Sequence, residues 1–273
     1  MIVYGRVWIT CFMPLAQLDG IQLYFETAGT GRPVVLVNSW GTTLRVWDRV
    51  IADLSADHQV IAYDWRGCGR SERTSWGNTI SQNAADLLAL AGHLALDRPV
   101  LVGSSVGGLF ACEAARMAAD RVGGAVVLGG PGYWATVMAD RLRGYVQALA
   151  TDRAAAIAAS VATMYTQQAG GALRDWTARQ ILDASPHIDV LFEEQIGYDP
   201  RPWLPEVLPP ILYVHGALDQ AVPAHVPQAL AGLSNGGRVV TIHGAGHLAQ
   251  QERPAEVAAA IRAFAISLEG GAS

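Results

Sequence analysis

Residues Arg98 to Ala119 read RPVLVGSSVGGLFACEAARMAA, and this stretch decides how the rest of the chain is read. The apolar run Val100-Leu101-Val102 ends in Gly103-Ser104-Ser105-Val106-Gly107-Gly108, and Leu109 to Ala119 carry helical spacing. The pattern is G-x-S-x-G at a predicted strand-to-helix turn. A serine at such an elbow sits on a tight, strained backbone, and Gly103 and Gly107 leave no Cβ to clash where strand and helix approach. The helix that follows aims its first N–H groups at any negative charge forming beside Ser105. Ser105 is therefore the candidate nucleophile, and the adjacent Ser104 reads as a packed strand-end residue.

A serine hydroxyl at its ordinary pKa is inert and needs a base, itself oriented by an acid. Both occur further along in a consistent setting. The apolar run Ile211-Leu212-Tyr213-Val214 leads through His215-Gly216-Ala217-Leu218 to Asp219, and Val239-Val240-Thr241-Ile242 leads into His243-Gly244-Ala245-Gly246-His247. Each polar residue follows a predicted buried strand, so Asp219 is the candidate orienting acid and His247 the candidate base. After the earlier strand at Gly124-Leu128 no acid occurs until Asp140. His243 and His247 are four apart, but the glycines between them argue for a loop and no Glu completes a metal-binding helix, so no metal is expected. The oxyanion donors are expected to be the N–H of Val106 and that of Trp40, in the loop Asn38-Ser39-Trp40-Gly41-Thr42.

Around these residues short β-branched runs alternate with Ala- and Leu-rich helical segments, the pattern of a mostly parallel sheet with helices on both faces. Strands are predicted at 21–27, 34–38, 59–63, 100–103, 124–128, 211–214 and 238–242. Helices are predicted at 43–55, 81–94, 106–119, 224–233 and 254–267, the last opened by Pro254. The alternation breaks between Gly130 and Pro209, where helical stretches at 140–165 and 173–184 precede the proline-dense 199–210. The expected organisation is an α/β core over 14–130 and 209–273 with a helical cap over 131–208. Residues 1–13 are read as an extension outside the fold. The cap should contribute Tyr133, Trp134, Met138 and Trp176 to an apolar substrate pocket, with Trp40 narrowing the acyl site.

Composition removes other chemistries. Of 273 residues 51% are hydrophobic and 16% charged, with a net charge of −5, and all 19 basic residues are Arg. Without lysine there is no Schiff base, no covalently held pyridoxal phosphate, no Walker lysine and no Ser-Lys dyad. The acidic balance and scattered arginines give no nucleic-acid footprint. Cys11, Cys68 and Cys112 form neither a disulfide framework nor a zinc motif, which fits a reducing, cytoplasmic setting. No apolar run approaches the ~20 residues of a membrane span.

From about Ala16 to Leu268 the chain resembles α/β-hydrolase fold enzymes. The resemblance is carried by Asn38-Ser39-Trp40-Gly41-Thr42, Trp47-Asp48, Tyr63-Asp64-Trp65-Arg66-Gly67-Cys68-Gly69-Arg70-Ser71, the serine elbow, Gly216-Ala217-Leu218-Asp219 and Gly244-Ala245-Gly246-His247. The chain order Ser, Asp, His is that of the superfamily. Within it, the NSxGT loop with a nearby Trp is similar to the 3-oxoadipate enol-lactonase branch, from which Trp40 (usually Leu) and Cys68 (usually His) depart. The resemblance implies a cofactor-free serine hydrolase of a small carboxylic ester or lactone. Two alternatives stay open: perhydrolase, haloperoxidase-type or C–C bond hydrolase chemistry with the same triad, and a non-catalytic ligand receptor on the same scaffold. Serine rather than aspartate at the elbow disfavours dehalogenase and epoxide hydrolase chemistry. The sequence leaves the oligomeric state open.

Overall fold

The structure is a computed structural model and describes residues 14–133 and 136–269. The extension at 1–13 and Trp134 lie outside the described residues. Eight strands form one sheet: β1 (Leu15–Leu18), β2 (Ile21–Ala28), β3 (Arg32–Val37), β4 (His58–Tyr63), β5 (Val100–Ser104), β6 (Gly124–Leu128), β7 (Ile211–Gly216) and β8 (Arg238–Ile242), in the order β1-β2-β4-β3-β5-β6-β7-β8. β1 and β2 pair antiparallel, as do β2 and β4, and every later pairing is parallel. β5 is central and buried along its whole length, which explains its unbroken apolar run.

Side-chain alternation splits the core into two layers. Val35, Val37, Leu101 and Val127 face one layer with Leu87 of α2 (Ile80–His93) and Phe110 of α3 (Val106–Met117). Val34, Leu36, Val102 and Val126 face the other, with Val50 and Leu54 of α1 (Asp48–Leu54). The chain then leaves the sheet after β6 and returns at β7. Between them run α4 (Thr136–Thr151), α5 (Arg153–Met164), α6 (Gly171–Asp183) and α7 (Val190–Gly197). α8 (His225–Leu233), α9 (Ala249–Glu252) and α10 (Pro254–Ser267) complete the chain, with Ile261 and Phe264 of α10 closing the second layer.

The structure differs from the sequence reading at several elements, each with a local cause. β1 was not expected; it is a four-residue strand joined to β2 by an Asp19-Gly20 turn in which Gly20 takes φ 75°. The stretch 140–165 is two helices because Asp152 ends one and caps the next, its side chain accepting from the Ala155 amide at 3.0 Å. The stretch 43–55 opens with a 3-10 turn at Leu44–Trp47 before α1 begins. α7 was not read as a helix. Among the described residues no helix is long and apolar enough to cross a membrane.

Candidate active site

Ser105 occupies the turn between β5 and α3 with φ 54° and ψ −122°, a left-handed-side conformation that a non-glycine residue adopts only when its surroundings enforce it. Its amide donates to the Leu128 carbonyl of β6 at 2.8 Å, and its own carbonyl accepts from the Gly108 amide at 2.8 Å. A Cβ on Gly103 would stand 1.9 Å from the Gly107 oxygen, and one on Gly107 would stand 2.7 Å from the Asn38 oxygen. Both contacts are with backbone, which cannot swing aside. Gly103→Ala is accordingly expected to destabilise the fold by about 3–5 kcal/mol in guanidinium unfolding, because the elbow must deform to admit a methyl group. A loss below about 1 kcal/mol would contradict this account of the glycine. Ser104 is buried, its hydroxyl accepting from Gln250 Nε2 at 3.0 Å, as a packed strand-end residue should be.

Asp219 lies just beyond β7. One carboxylate oxygen accepts from the amides of Ala221 and Val222 at 2.7 and 3.0 Å, and the other meets His247 Nδ1 at 2.8 Å. The loop carrying His247 packs directly on the acid loop. The amides of Ala217 and Leu218 donate to the Ile242 and Ala245 carbonyls at 2.9 Å each, and a Cβ on Gly216 would lie 2.0 Å from the Gly246 oxygen. The opposite ring nitrogen, His247 Nε2, lies 2.9 Å from Ser105 Oγ. The structure thus brings together Ser105, His247 and Asp219 from three separate turns at the carboxyl ends of β5, β8 and β7. His243, by contrast, is exposed.

The electrostatics follow from this arrangement. Burial raises the Asp219 carboxyl, but the facing His247, the Val222 amide and His215 outweigh it and leave the pKa lowered. Burial lowers His247, and the Asp219 charge and hydrogen bond more than reverse that, leaving its pKa raised. An anionic Asp219 implies that Nδ1 carries the donated proton and that the Nε2 lone pair faces the serine hydroxyl. His215, missed in the sequence reading, lies on the flank of the acid with Nδ1 3.8 Å from Asp219 Oδ2. Burial dominates there and lowers its pKa, so His215 stays neutral beside the pair.

Val106 is the first residue of α3, so its amide has no intrahelical acceptor. The Asn38–Thr42 loop abuts the elbow and is held by its own bonds: the amide and hydroxyl of Thr42 both donate to the Ser39 carbonyl, at 3.1 and 2.9 Å, and Asn38 Nδ2 donates to the Thr42 carbonyl. Trp40, 3% exposed, is fixed there.

Ser105 and His247 open into a cavity of about 250 Å³ whose walls include Trp40, Met138, Leu142, Tyr145, Met164 and Phe192. Trp40, Tyr145 and Phe192 form an aromatic wall, with ring centroids 4.7 to 6.0 Å apart. Of the residues expected to line the pocket, Trp40 and Met138 do. Tyr133 and Trp176 do not: Tyr133 packs partly buried with the Arg201 guanidinium 4.1 Å from its ring centroid, and Trp176 packs against the core layer that contains Leu44 and Trp47. The sequence reading overlooked Tyr145 and Phe192. Met138, Leu142 and Tyr145 repeat at helical spacing, a signal that was present. Phe192 had none, because α7 carried no recognised helical pattern.

Residues 32–254 match the family described as the alpha/beta hydrolase fold. The chain is 30% identical over 260 residues to a pimeloyl-[acyl-carrier protein] methyl ester esterase from Edwardsiella ictaluri, covering 89% of this chain and 97% of that protein. It is 37% identical over 113 residues to a non-heme haloperoxidase from Rhodococcus erythropolis, a match spanning 41% of each chain. Among solved structures it is similar to the enol-lactonase from Burkholderia xenovorans LB400, with a TM-score of 0.84 and 25% identity, covering 93% of this chain and 100% of the other.

Proposed function

Because the chain belongs to the α/β-hydrolase fold family, we propose that it is a serine hydrolase that cleaves a small carboxylic ester or lactone through an acyl-enzyme. The observation that carries this reading is the Asp219–His247–Ser105 relay, with contacts of 2.8 and 2.9 Å, opening on the cavity. Ser105 Oγ attacks the carbonyl carbon as His247 Nε2 takes its proton. The tetrahedral oxyanion receives the N–H groups of Val106 and Trp40. His247 returns the proton to the leaving alkoxide, then takes one from the water that attacks the acyl-enzyme and gives it to Ser105 Oγ as the acyl–oxygen bond breaks and the carboxylic acid leaves. The steps run on side chains alone and call for no cofactor.

Residues 131–208 act as a cap over a core formed by 14–130 and 209–273. The cap residues Met138, Leu142, Tyr145, Met164 and Phe192 give the acyl group an apolar enclosure. A volume of about 250 Å³ lies below the usual ~300–1,000 Å³ of drug-sized sites, which supports a small substrate. The two free, buried thiols of Cys68 and Cys112 support a cytoplasmic setting. Likeness to the Rhodococcus erythropolis haloperoxidase favours perhydrolysis as a second reading, in which peroxide replaces water at the acyl-enzyme.

The test is labelling with a fluorophosphonate, mapped by mass spectrometry to the peptide carrying Ser105, beside turnover of short-chain esters and lactones with and without peroxide. No adduct at Ser105 sinks the proposal. Since the base must be neutral and the His247 pKa is raised, kcat/KM is expected to climb with pH along an acid limb centred above the ordinary imidazole value. A rate unchanged from about pH 8 to about pH 5 would exclude His247 as the base.

A further inference from the structure

His247 is gripped from behind by the helical insertion. Its amide donates to the Met164 carbonyl at 2.9 Å, and the Leu248 amide reaches the same oxygen at 3.3 Å. Met164 is the last residue of α5 and also lines the cavity. Beside this contact, Glu252 at the end of α9 bridges the same two segments. One of its oxygens accepts from the Gly246 amide at 2.7 Å, and the other accepts from the Thr166 amide at 3.0 Å and the Thr166 hydroxyl at 2.5 Å. Arg174 of α6 donates to the Thr166 carbonyl at 2.6 Å, so the turn after α5 is itself fixed.

An ionised carboxylate is acceptor-only on both oxygens, and here it meets three donors. No isosteric neutral side chain reproduces that. Glycine lets the loop come this close: Gly244 takes φ 68°, and a Cβ on Gly246 would stand 2.9 Å from the Met164 oxygen.

We infer that Glu252 is a positioning residue that locks the His247 loop to the helical insertion, so that the alignment of His247 between Asp219 and Ser105 depends on how the insertion is docked. The inference rests on the serine hydrolase reading. Displacing a proton-transfer group by about 1 Å can cost on the order of a hundredfold in rate, so a main-chain clamp one residue from the base acts on turnover without touching substrate.

Two variants test it. Glu252→Gln keeps the shape but turns an NH2 toward donors. Thr166→Val removes only the hydroxyl contact. In folded Glu252→Gln, kcat for a small ester should fall about ten- to a hundredfold with KM nearly unchanged, and fluorophosphonate labelling of Ser105 should slow by a similar factor. The acid limb of kcat/KM should move to lower pH, because a loosened contact with Asp219 raises His247 less. Thr166→Val should move all three readouts the same way by a smaller amount. A purely structural role would lower the Tm while leaving kcat, labelling rate and acid limb of the folded protein as in wild type, and that result overturns the inference. If Glu252→Gln fails to fold, Thr166→Val decides on the same readouts. Wild type that labels and turns over beside unaltered variants refutes the clamp alone. Wild type that does neither refutes the hydrolase reading and the clamp with it.

Discussion

Ser105→Ala is expected to abolish fluorophosphonate labelling and to lower ester turnover by about a millionfold, with stability within about 1 kcal/mol of wild type. The substitution removes one oxygen, and that oxygen is the only atom proposed to bond to the substrate. Neither Ser104 nor Ser39 replaces it. Ser104 is directed away to Gln250, and Ser39, which also lines the cavity, has its hydroxyl 3.2 Å from that of Thr42. The remaining donors at Val106 and Trp40 would still bind the polarised carbonyl, so a residual rate over water is expected. The backbone should be unchanged, because the positive φ at 105 is imposed by the Leu128 and Gly108 hydrogen bonds and alanine meets the same strain that serine does. Burst kinetics and labelling on one preparation measure both halves. Turnover within about tenfold of wild type would place the nucleophile elsewhere.

Ser105, Asp219 and His247 stand out in the sequence as candidates because each stands just past a buried strand, and buried parallel strands announce themselves as continuous apolar runs punctuated by glycine. Gly103, Gly107, Gly216 and Gly246 mark the points where two backbones touch, and the clashes a Cβ would meet there explain why the turns read so clearly. The sheet was legible for the same reason. β1 escaped, although Asp19-Gly20 is a turn signal, because four residues carry little periodicity. The cavity walls were a different problem. Aromatic identity suggested Tyr133 and Trp176, yet which face of a helix meets the cavity is set by how four helices pack on one another and on the sheet. Tyr133 and Trp176 found other partners. Glu252 gave no signal at all, since its meaning lies in Thr166, far away in sequence but in contact through the fold. Local pattern reaches as far as a residue's own turn, and pairings between turns need the tertiary structure.

Asp219→Asn is expected to lower kcat/KM by about 10⁴-fold while the fold stays intact. The amide oxygen of Asn can keep the bonds from the Ala221 and Val222 amides, which hold the side chain in its present orientation. That leaves the NH2 facing His247 Nδ1, where the carboxylate oxygen now stands at 2.8 Å. Two donors cannot face each other, so the imidazole must take the tautomer with its proton on Nε2. The proton then points at Ser105 Oγ, and the lone pair needed to accept from the hydroxyl is gone. Among the described residues Asp219 is the one acid paired with the imidazole. At the end of β6 the position facing the histidine is Gly129, held at φ 58° with a would-be Cβ 3.3 Å from His247 Nδ1, and glycine offers no carboxylate there. His215 stays neutral and supplies no negative charge. Loss of the carboxylate also removes what raises the His247 pKa while burial, which lowers it, remains, so the acid limb of the residual activity should shift to lower pH. Kinetics across pH on the purified variant measure both effects. Activity within about tenfold of wild type, with the acid limb unmoved, would mean that Asp219 neither sets the tautomer nor supports the base.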